Sequence, residues 1–278
     1  MRAVRPPSPA TVAFHDHAGV ALTLLPPDVL SVVTIVAFLG GLSVVTIGPG
    51  GVFVTVALYT MTSLYHSTVA GTTSAVFAAA GLVGAYLYTR SGEISAAEDR
   101  RNALSLGAGS GFGALIGVYV NSIVDAGLFR LVFALVVVGI GLTLLYRERV
   151  GLSPLLDPGW SGVRLALVFA AVGFATGIPS GLLGIGGPAF SVPVLVVLGI
   201  PLAYSVAVAQ VQMVFVAGFA TVGYLQYDAV LVPVALVVGV PMIAGMVLGW
   251  RARTRVDGAT LRLVLAVVLV GIGGYMLA

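Results

Sequence analysis

The stretch Gly177-Ile178-Pro179-Ser180-Gly181-Leu182-Leu183-Gly184-Ile185-Gly186-Gly187 separates two apolar segments of unequal length. The segment that ends within it, Val163–Leu183, has the roughly 20 apolar residues that a helix needs to cross the hydrocarbon core of a membrane. The segment after it, Ala189–Leu198, is about half a span. Glycine disfavours a continuous helix because it gives the backbone extra freedom. The stretch therefore predicts a broken membrane helix, which is tolerated only where protein or water shields the open backbone.

The composition of the whole chain also indicates a membrane protein. Of its 278 residues, 59% are hydrophobic and only 8% are charged, which is too little charge to cover a soluble domain. Cysteine is absent, so disulfide and thiolate chemistry are excluded. The net charge of +3 does not indicate nucleic-acid binding, because the arginines lie between apolar segments, where membrane topology accounts for them.

The pattern of apolar segments predicts an all-α, polytopic fold with about eight transmembrane segments. The candidate spans are Val29–Ile47, Val69–Tyr88, Ala103–Val120, Leu128–Tyr146, Val163–Leu183, Tyr204–Tyr224, Ala229–Trp250 and Leu261–Leu277. A second half-span, Val52–Thr60, follows a glycine break in the same way as Ala189–Leu198 does. The N-terminal tail, residues 1–27, is proline-rich and is expected to be disordered or interfacial.

The distribution of arginine predicts how the spans are oriented. Loops near Arg90–Arg101, Arg147–Arg164 and Arg251–Arg262 are rich in arginine, and such loops face the cytoplasm. The predicted location is the cytoplasmic membrane, with the C-terminus on the extracytoplasmic side. Residues 28–150 and 151–278 then form two repeats of opposite orientation, each a glycine-broken hairpin followed by three spans. A full crossing by Val29–Ile47 would instead place the N-terminus in the cytoplasm, and this alternative stays open.

Sequence matches between the halves support the repeat. Gly48–Phe53 can be laid over Gly184–Ala189, and Ser67–Ala70 over Ser205–Val208 after a shift of two residues. In this alignment, a run of small polar residues in the first half corresponds to two glutamines in the second half. These residues are Thr72, Thr73, Ser74, Gln210 and Gln212.

In these motifs the chain resembles the TauE/SafE sulfite exporter family, which includes proteins similar to 4-toluene sulfonate uptake permeases. The run Gly177–Gly187, continuing to Ser191-Val192-Pro193-Val194-Leu195, is similar to the family's glycine-rich pattern. A weaker copy in the first half contains Gly41, Ser43, Gly48, Gly50 and Gly51, and Ala70–Ser74 resembles the family's small polar motif. The chain departs from the pattern at Pro188, which replaces a third glycine, and at Pro49. The resemblance implies transport of sulfite, organosulfonates or related small anions.

The residues themselves also favour an anion. Helix N-termini carry unpaired N–H donors and partial positive charge, and glycine lets a ligand approach the backbone. All ten carboxylates lie in loops or at span ends, which disfavours an intramembrane cation site or proton relay. We therefore predict a substrate-binding site near the membrane midplane. Its candidate residues are Ser43, Gly48, Gly50, Gly51, Thr72, Thr73, Ser74, Ser180, Gly184, Gly186, Gly187, Gln210 and Gln212.

Structural roles compete with this assignment. Glycines in membrane helices often serve close packing, and Thr72–Ser74 could bond to their own helix. Gln210 and Gln212 are two residues apart, so at most one should face a ligand, while the other braces a neighbouring helix.

Residues near the predicted span ends carry weaker functional signals. Tyr88 and Tyr224 are among the aromatic residues expected to form an interfacial belt. His66 could titrate or gate, although an interfacial capping role is favoured. Arg130 could draw anions to an entrance, although a side chain that snorkels from a helix end is the simpler interpretation.

These features favour a secondary transporter of small sulfur-containing anions, with a passive anion channel as the alternative. An enzyme is disfavoured because no HExxH motif, intramembrane carboxylate pair or cysteine is present. No catalytic residue, metal site or cofactor is expected. The expected partners are the anionic substrate and the lipid bilayer, not nucleic acid, and a homodimer is left open.

Overall fold

The computed structural model of the protein describes residues 26–147 and 161–252, together with positions 267, 270, 271 and 274. These ranges are helical and contain no strand. Most of the predicted N-terminal tail, and the last predicted span apart from those four positions, lie outside the described residues.

Nine α-helices lie in the two described ranges. They are α1 (Pro27–Thr46), α2 (Val52–Met61), α3 (His66–Arg90), α4 (Ala97–Ile123), α5 (Ala126–Arg147), α6 (Gly162–Leu183), α7 (Pro188–Val197), α8 (Leu202–Leu225) and α9 (Val232–Ala252). Six of them, α1, α3, α4, α6, α8 and α9, are long and apolar enough to cross a membrane. The chain is a multi-pass membrane protein, and the total of eight spans stays a prediction.

Both predicted helix breaks are present. α1 stops at Thr46, and a short 3₁₀ turn, Pro49–Gly51, leads into α2. α6 stops at Leu183, and residues 184–187 lead into α7. Gly48, Gly184 and Gly186 have φ values of +103°, +62° and +83°, a region that side chains other than glycine rarely adopt. The glycines therefore explain where both helices end.

Small residues join α4 to α6. A methyl group on any of six glycines, three on each helix at intervals of four residues, would overlap with a backbone carbonyl oxygen of the other helix. They are Gly109, Gly113, Gly117, Gly173, Gly177 and Gly181. The contacted residues advance in the same direction along both chains, so the two helices run parallel. Close backbone approach of this kind stabilises helix pairs in membranes, where the hydrophobic effect contributes little.

A second parallel pair is formed by α1 and α9. Methyl groups at Gly245 and Gly249 would collide with the backbones of Phe38 and Leu42, and one at Gly41 would collide with that of Met242.

The centre of the molecule is the antiparallel pair of α3 and α8. Gly71 packs on Tyr224, and Gly81 packs on the backbone of Val214, so the contacts run in opposite directions along the two chains. Both helices are largely buried, and they carry the predicted polar cluster to the interior.

Candidate functional site

The two helix breaks meet beside Phe77, near the middle of α3. A Cβ at Gly51 would lie 2.9 Å from the Phe77 ring and 3.2 Å from the carbonyl oxygen of Ile185. A Cβ at Gly186 would lie 3.4 Å from the same ring. The N-terminal ends of α2 and α7, which follow these breaks, therefore converge in the interior of the protein.

Unpaired backbone donors lie at the second break. The N–H groups of Ile185, Gly186 and Gly187 donate to no backbone carbonyl oxygen within the described residues. α7 starts directly after them, so they add to the partial positive charge of its N-terminus. The position suits a negatively charged ligand.

Gln212 turns its amide oxygen toward this break. Its side chain is fully buried, and Nε2 donates to Thr176 Oγ1 at 3.1 Å. The Thr176 hydroxyl donates to the carbonyl of Val172 at 2.7 Å, so it must accept from the glutamine, which determines the amide orientation. Oε1 then lies 2.9 Å from the place of a Cβ at Gly187, and no described residue donates to it. A buried acceptor without a donor is costly, and because this one lies beside unpaired backbone N–H groups, the second break is the candidate position for a ligand.

Gln210 points to a different helix. Its Nε2 donates to the carbonyl oxygen of Val44 in α1 at 3.1 Å, and a carbonyl can only accept, so this orientation is also determined. Oε1 packs against Gly84 and has no donor among the described residues. Gln210 thus braces α1 against α8, whereas Gln212 faces the second break.

The carbonyl group of Gly184 holds the second break in place. It accepts from the Thr55 hydroxyl at 2.6 Å, and the Thr73 hydroxyl lies 2.8 Å from the same oxygen. Thr73 is among the candidate residues predicted from the sequence, whereas Thr55 is not. A signal was present, because Thr55 and Ser191 each follow the last glycine of a break by four residues, and both are buried.

The other predicted hydroxyls are engaged in bonds within the protein. Thr72 Oγ1 accepts from the N–H of Leu231 at 3.0 Å, next to the start of α9. Ser74 and Ser180 each donate to the carbonyl oxygen four residues earlier in their own helix, at 2.7 Å. Only Thr72 therefore joins two elements, α3 and the segment before α9, whereas Ser74 and Ser180 bond within their own helices; Ser180 Oγ also lies 3.4 Å from the carbonyl oxygen of Gly186. The predicted contact of these hydroxyls with substrate stays a prediction.

Ser43 and Gly50 lie at the end of α1. The Ser43 carbonyl accepts from the N–H groups of Ile47 and Gly48, at 2.9 and 3.2 Å, and so ends the helix. A methyl group at Gly50 would overlap with the side chain of Ser43. Close packing alone explains glycine at position 50.

Tyr88 and Tyr224 are not part of an aromatic belt, and this expectation was wrong. Their exposed fractions are 3% and 1%. The Tyr88 hydroxyl donates to the carbonyl of Val45, and that of Tyr224 donates to the carbonyl of Gly181 at 2.8 Å. Both carbonyls lie in the last turn of a helix that ends at a break, where the carbonyl groups have no N–H donor from a following turn. The tyrosines satisfy those carbonyls instead of facing the interface.

Charge is confined to the helix ends in the described ranges. The carboxylates there lie in loops or first helical turns, at Asp28, Glu93, Glu98, Asp99, Asp125 and Asp228. No group of three potential metal-ligating side chains occurs in this part of the chain. The interior site is therefore built from backbone dipoles, hydroxyls and amides.

Comparison with protein families identifies the chain. The sequence model described as "Sulfite exporter TauE/SafE" matches residues 33–276, nearly the whole chain. No curated protein and no solved structure gives a significant match.

Proposed function

We propose that this chain, which belongs to the TauE/SafE sulfite exporter family, is a secondary transporter that moves sulfite or a related small sulfur-containing anion across the cytoplasmic membrane. One observation carries the proposal. The N-terminal ends of α2 and α7 converge beside Phe77, with unpaired N–H groups at Gly186 and Gly187 and an unpaired amide oxygen at Gln212.

The mixture of donors and one acceptor favours a particular form of substrate. Backbone N–H groups suit the oxygens of an anion, whereas Gln212 Oε1 needs a hydrogen-bond donor. Hydrogensulfite supplies both, because it is a monoanion that still carries one proton. The proton would then travel on the substrate, so the protein needs no intramembrane carboxylate to carry it.

Helix packing supports the inverted repeat. The register that lays Gly48 over Gly184 also lays Val45 over Gly181, and these two carbonyls accept from Tyr88 and Tyr224 in corresponding helices of the two halves. The parallel pairs α4–α6 and α1–α9 correspond in the same way, and α3 pairs with its counterpart α8. Such repeats are common in secondary transporters.

Burial of the site supports alternating access. Gln212 and Thr73 have no exposed surface, and the clefts lined by Ser63, Leu104 and Pro193 contain none of the predicted site residues. A substrate can reach this position only if one half moves against the other. On this interpretation, the conformation described here gives substrate access to the position from neither side of the membrane.

Proteoliposomes test the transporter against the channel. We expect purified protein to exchange internal radiolabelled sulfite for external sulfite in a saturable way, with transient counterflow against a gradient. A channel would give flux without counterflow. No flux of any sulfur-containing anion in folded, reconstituted protein would refute the proposed substrate class.

A further inference from the structure

A second polar site lies at the far end of α2 from the helix breaks. It is a cleft of about 410 Å³ between the end of α2 and the beginnings of α3 and α5. Thr60, Ser63, His66, Ala126 and Arg130 are among the residues that line it. α2 has ten residues and is therefore about 15 Å long, so one half-helix separates this cleft from the site beside Phe77.

His66 is the unusual group in the cleft. Its exposed fraction is 3%, yet neither ring nitrogen has a hydrogen-bond partner among the described residues. Asn121 lies beside the imidazole without completing a hydrogen bond of good geometry. The ring is instead held by stacking on Phe129, with 4.6 Å between ring centroids, and by contact with Tyr65 at 4.1 Å. Buried imidazole nitrogens usually have partners, so their availability at a cleft indicates a ligand.

The surroundings of His66 attract negative charge. The N-termini of α3 and α5 both reach the cleft, at His66 and Ala126, and each contributes partial positive charge. Arg130 adds a full positive charge and lies near Tyr59 on the opposite wall.

Among the residues that the structure describes, Asp125 is the acidic group whose charge acts on His66. Backbone N–H donors from Leu128 and Gly127 hold the pKa of its carboxyl below the ordinary value, and Oδ1 accepts from them at 3.1 and 2.8 Å. The carboxylate is exposed and is engaged as the cap of α5. It offsets part of the positive potential but does not line the cleft.

We propose that this cleft is a docking site for a small oxyanion, in which Arg130 supplies charge and the imidazole of His66 supplies a buried hydrogen-bond donor. It is separate from the site beside Phe77. It lies at the N-terminal end of α3, whereas Arg90 lies at the C-terminal end. The inference deepens the proposed function and rests on it in one respect, because the docked anion is taken to be the transported one. α2 connects the two sites, so the cleft lies on the path of an anion between the site beside Phe77 and this face of the protein.

Two measurements on full-length protein test the cleft, namely equilibrium binding of radiolabelled sulfite and the exchange rate at varied external sulfite. We expect Arg130→Gln to raise the KM for sulfite about tenfold and to leave the maximal exchange rate unchanged. Tenfold is the lower end of the effect of electrostatic focusing. The salt dependence of the rate at low sulfite should flatten. Arg130→Lys should recover most of the loss, and His66→Asn should weaken binding without removing the salt dependence.

Arg90→Gln is the matched control, because Arg90 lies at the other end of α3 and bonds to Tyr86. It should leave KM unchanged, and the unfolding temperature of every variant shows whether it is folded. If Arg130→Gln exchanges sulfite with an unchanged KM, the docking site is refuted, whereas the proposed transporter function is not. Sulfite binding that depends on Arg130, without exchange, supports the docking site and refutes the transporter.

Discussion

A single amide group carries much of the case for the proposed interior site. Gln212 must turn its NH₂ group to Thr176, because the hydroxyl of that threonine is already used as a donor. Its oxygen then faces Gly187 without a partner. Gln210 also has an unpaired buried oxygen, but that oxygen packs against Gly84 between α3 and α8, whereas the oxygen of Gln212 lies at the second break, where the backbone N–H groups are unpaired as well.

Replacement of Gln212 by methionine tests this oxygen. Methionine has similar volume and flexibility but no amide. We expect the variant to fold and to exchange sulfite about tenfold more slowly, which corresponds to about 1.4 kcal/mol of lost interaction. Exchange of methanesulfonate, which has no proton to donate, should change much less. The measurement is the ratio of the two exchange rates in proteoliposomes.

Thr176→Val is the control for this prediction. It removes the partner of the Gln212 NH₂ group but keeps the amide. If loss of the helix-to-helix hydrogen bond were the cause, Thr176→Val would slow exchange as much as Gln212→Met. An equal loss in both variants, or an equal loss for sulfite and methanesulfonate, would contradict the assigned role.

At the scale of elements, the sequence was most informative where glycine dominates. The half-helices predicted at Val52–Thr60 and Ala189–Leu198 are observed as Val52–Met61 and Pro188–Val197, because glycine at a positive φ ends a helix locally. The role of Tyr88 and Tyr224 could not be predicted. It depends on which carbonyls the breaks leave unpaired, and that is known only once the helices are packed. Thr55 could have been selected, because it follows Gly51 by four residues as Ser191 follows Gly187, but its partner in the other half is known only from the packing.

The interface of α4 and α6 gives a prediction about stability. A methyl group at Gly113 would overlap with the carbonyl oxygen of Phe174. Overpacking of this kind costs about 1–3 kcal/mol, so Gly113→Ala should lower the unfolding temperature in detergent. Gly218→Ala is the matched control, because a Cβ at that position in α8 would meet nothing within 4 Å. Equal unfolding temperatures for the two variants would show that the helices do not approach as closely as described.

At the scale of the whole molecule, the direction of α1 relative to α9 favours one of the two topologies that the sequence left open. α1 runs parallel to α9, and α9 carries Arg251 in its last turn, at the start of the arginine-rich loop predicted from the sequence at Arg251–Arg262. If that loop is cytoplasmic, as arginine placement predicts, α9 begins on the outer side and α1 must begin there as well. A cytoplasmic start of α1 would require these two helices to be antiparallel.

Labelling of single cysteines tests this arrangement directly, because the chain has no cysteine of its own. Asp28 and Ser91 are both exposed, the first at the start of α1 and the second just after α3. We expect a membrane-impermeant maleimide to label Asp28→Cys in intact cells and to label Ser91→Cys only after the membrane is permeabilised. Ser63→Cys, in the cleft near His66, should behave like Asp28→Cys. Protection of position 28 together with labelling of position 63 would place the start of α1 in the cytoplasm. The first half would then no longer be the inverted counterpart of the second. The N-terminal ends of α2 and α7 would in that case not be related by the inverted repeat.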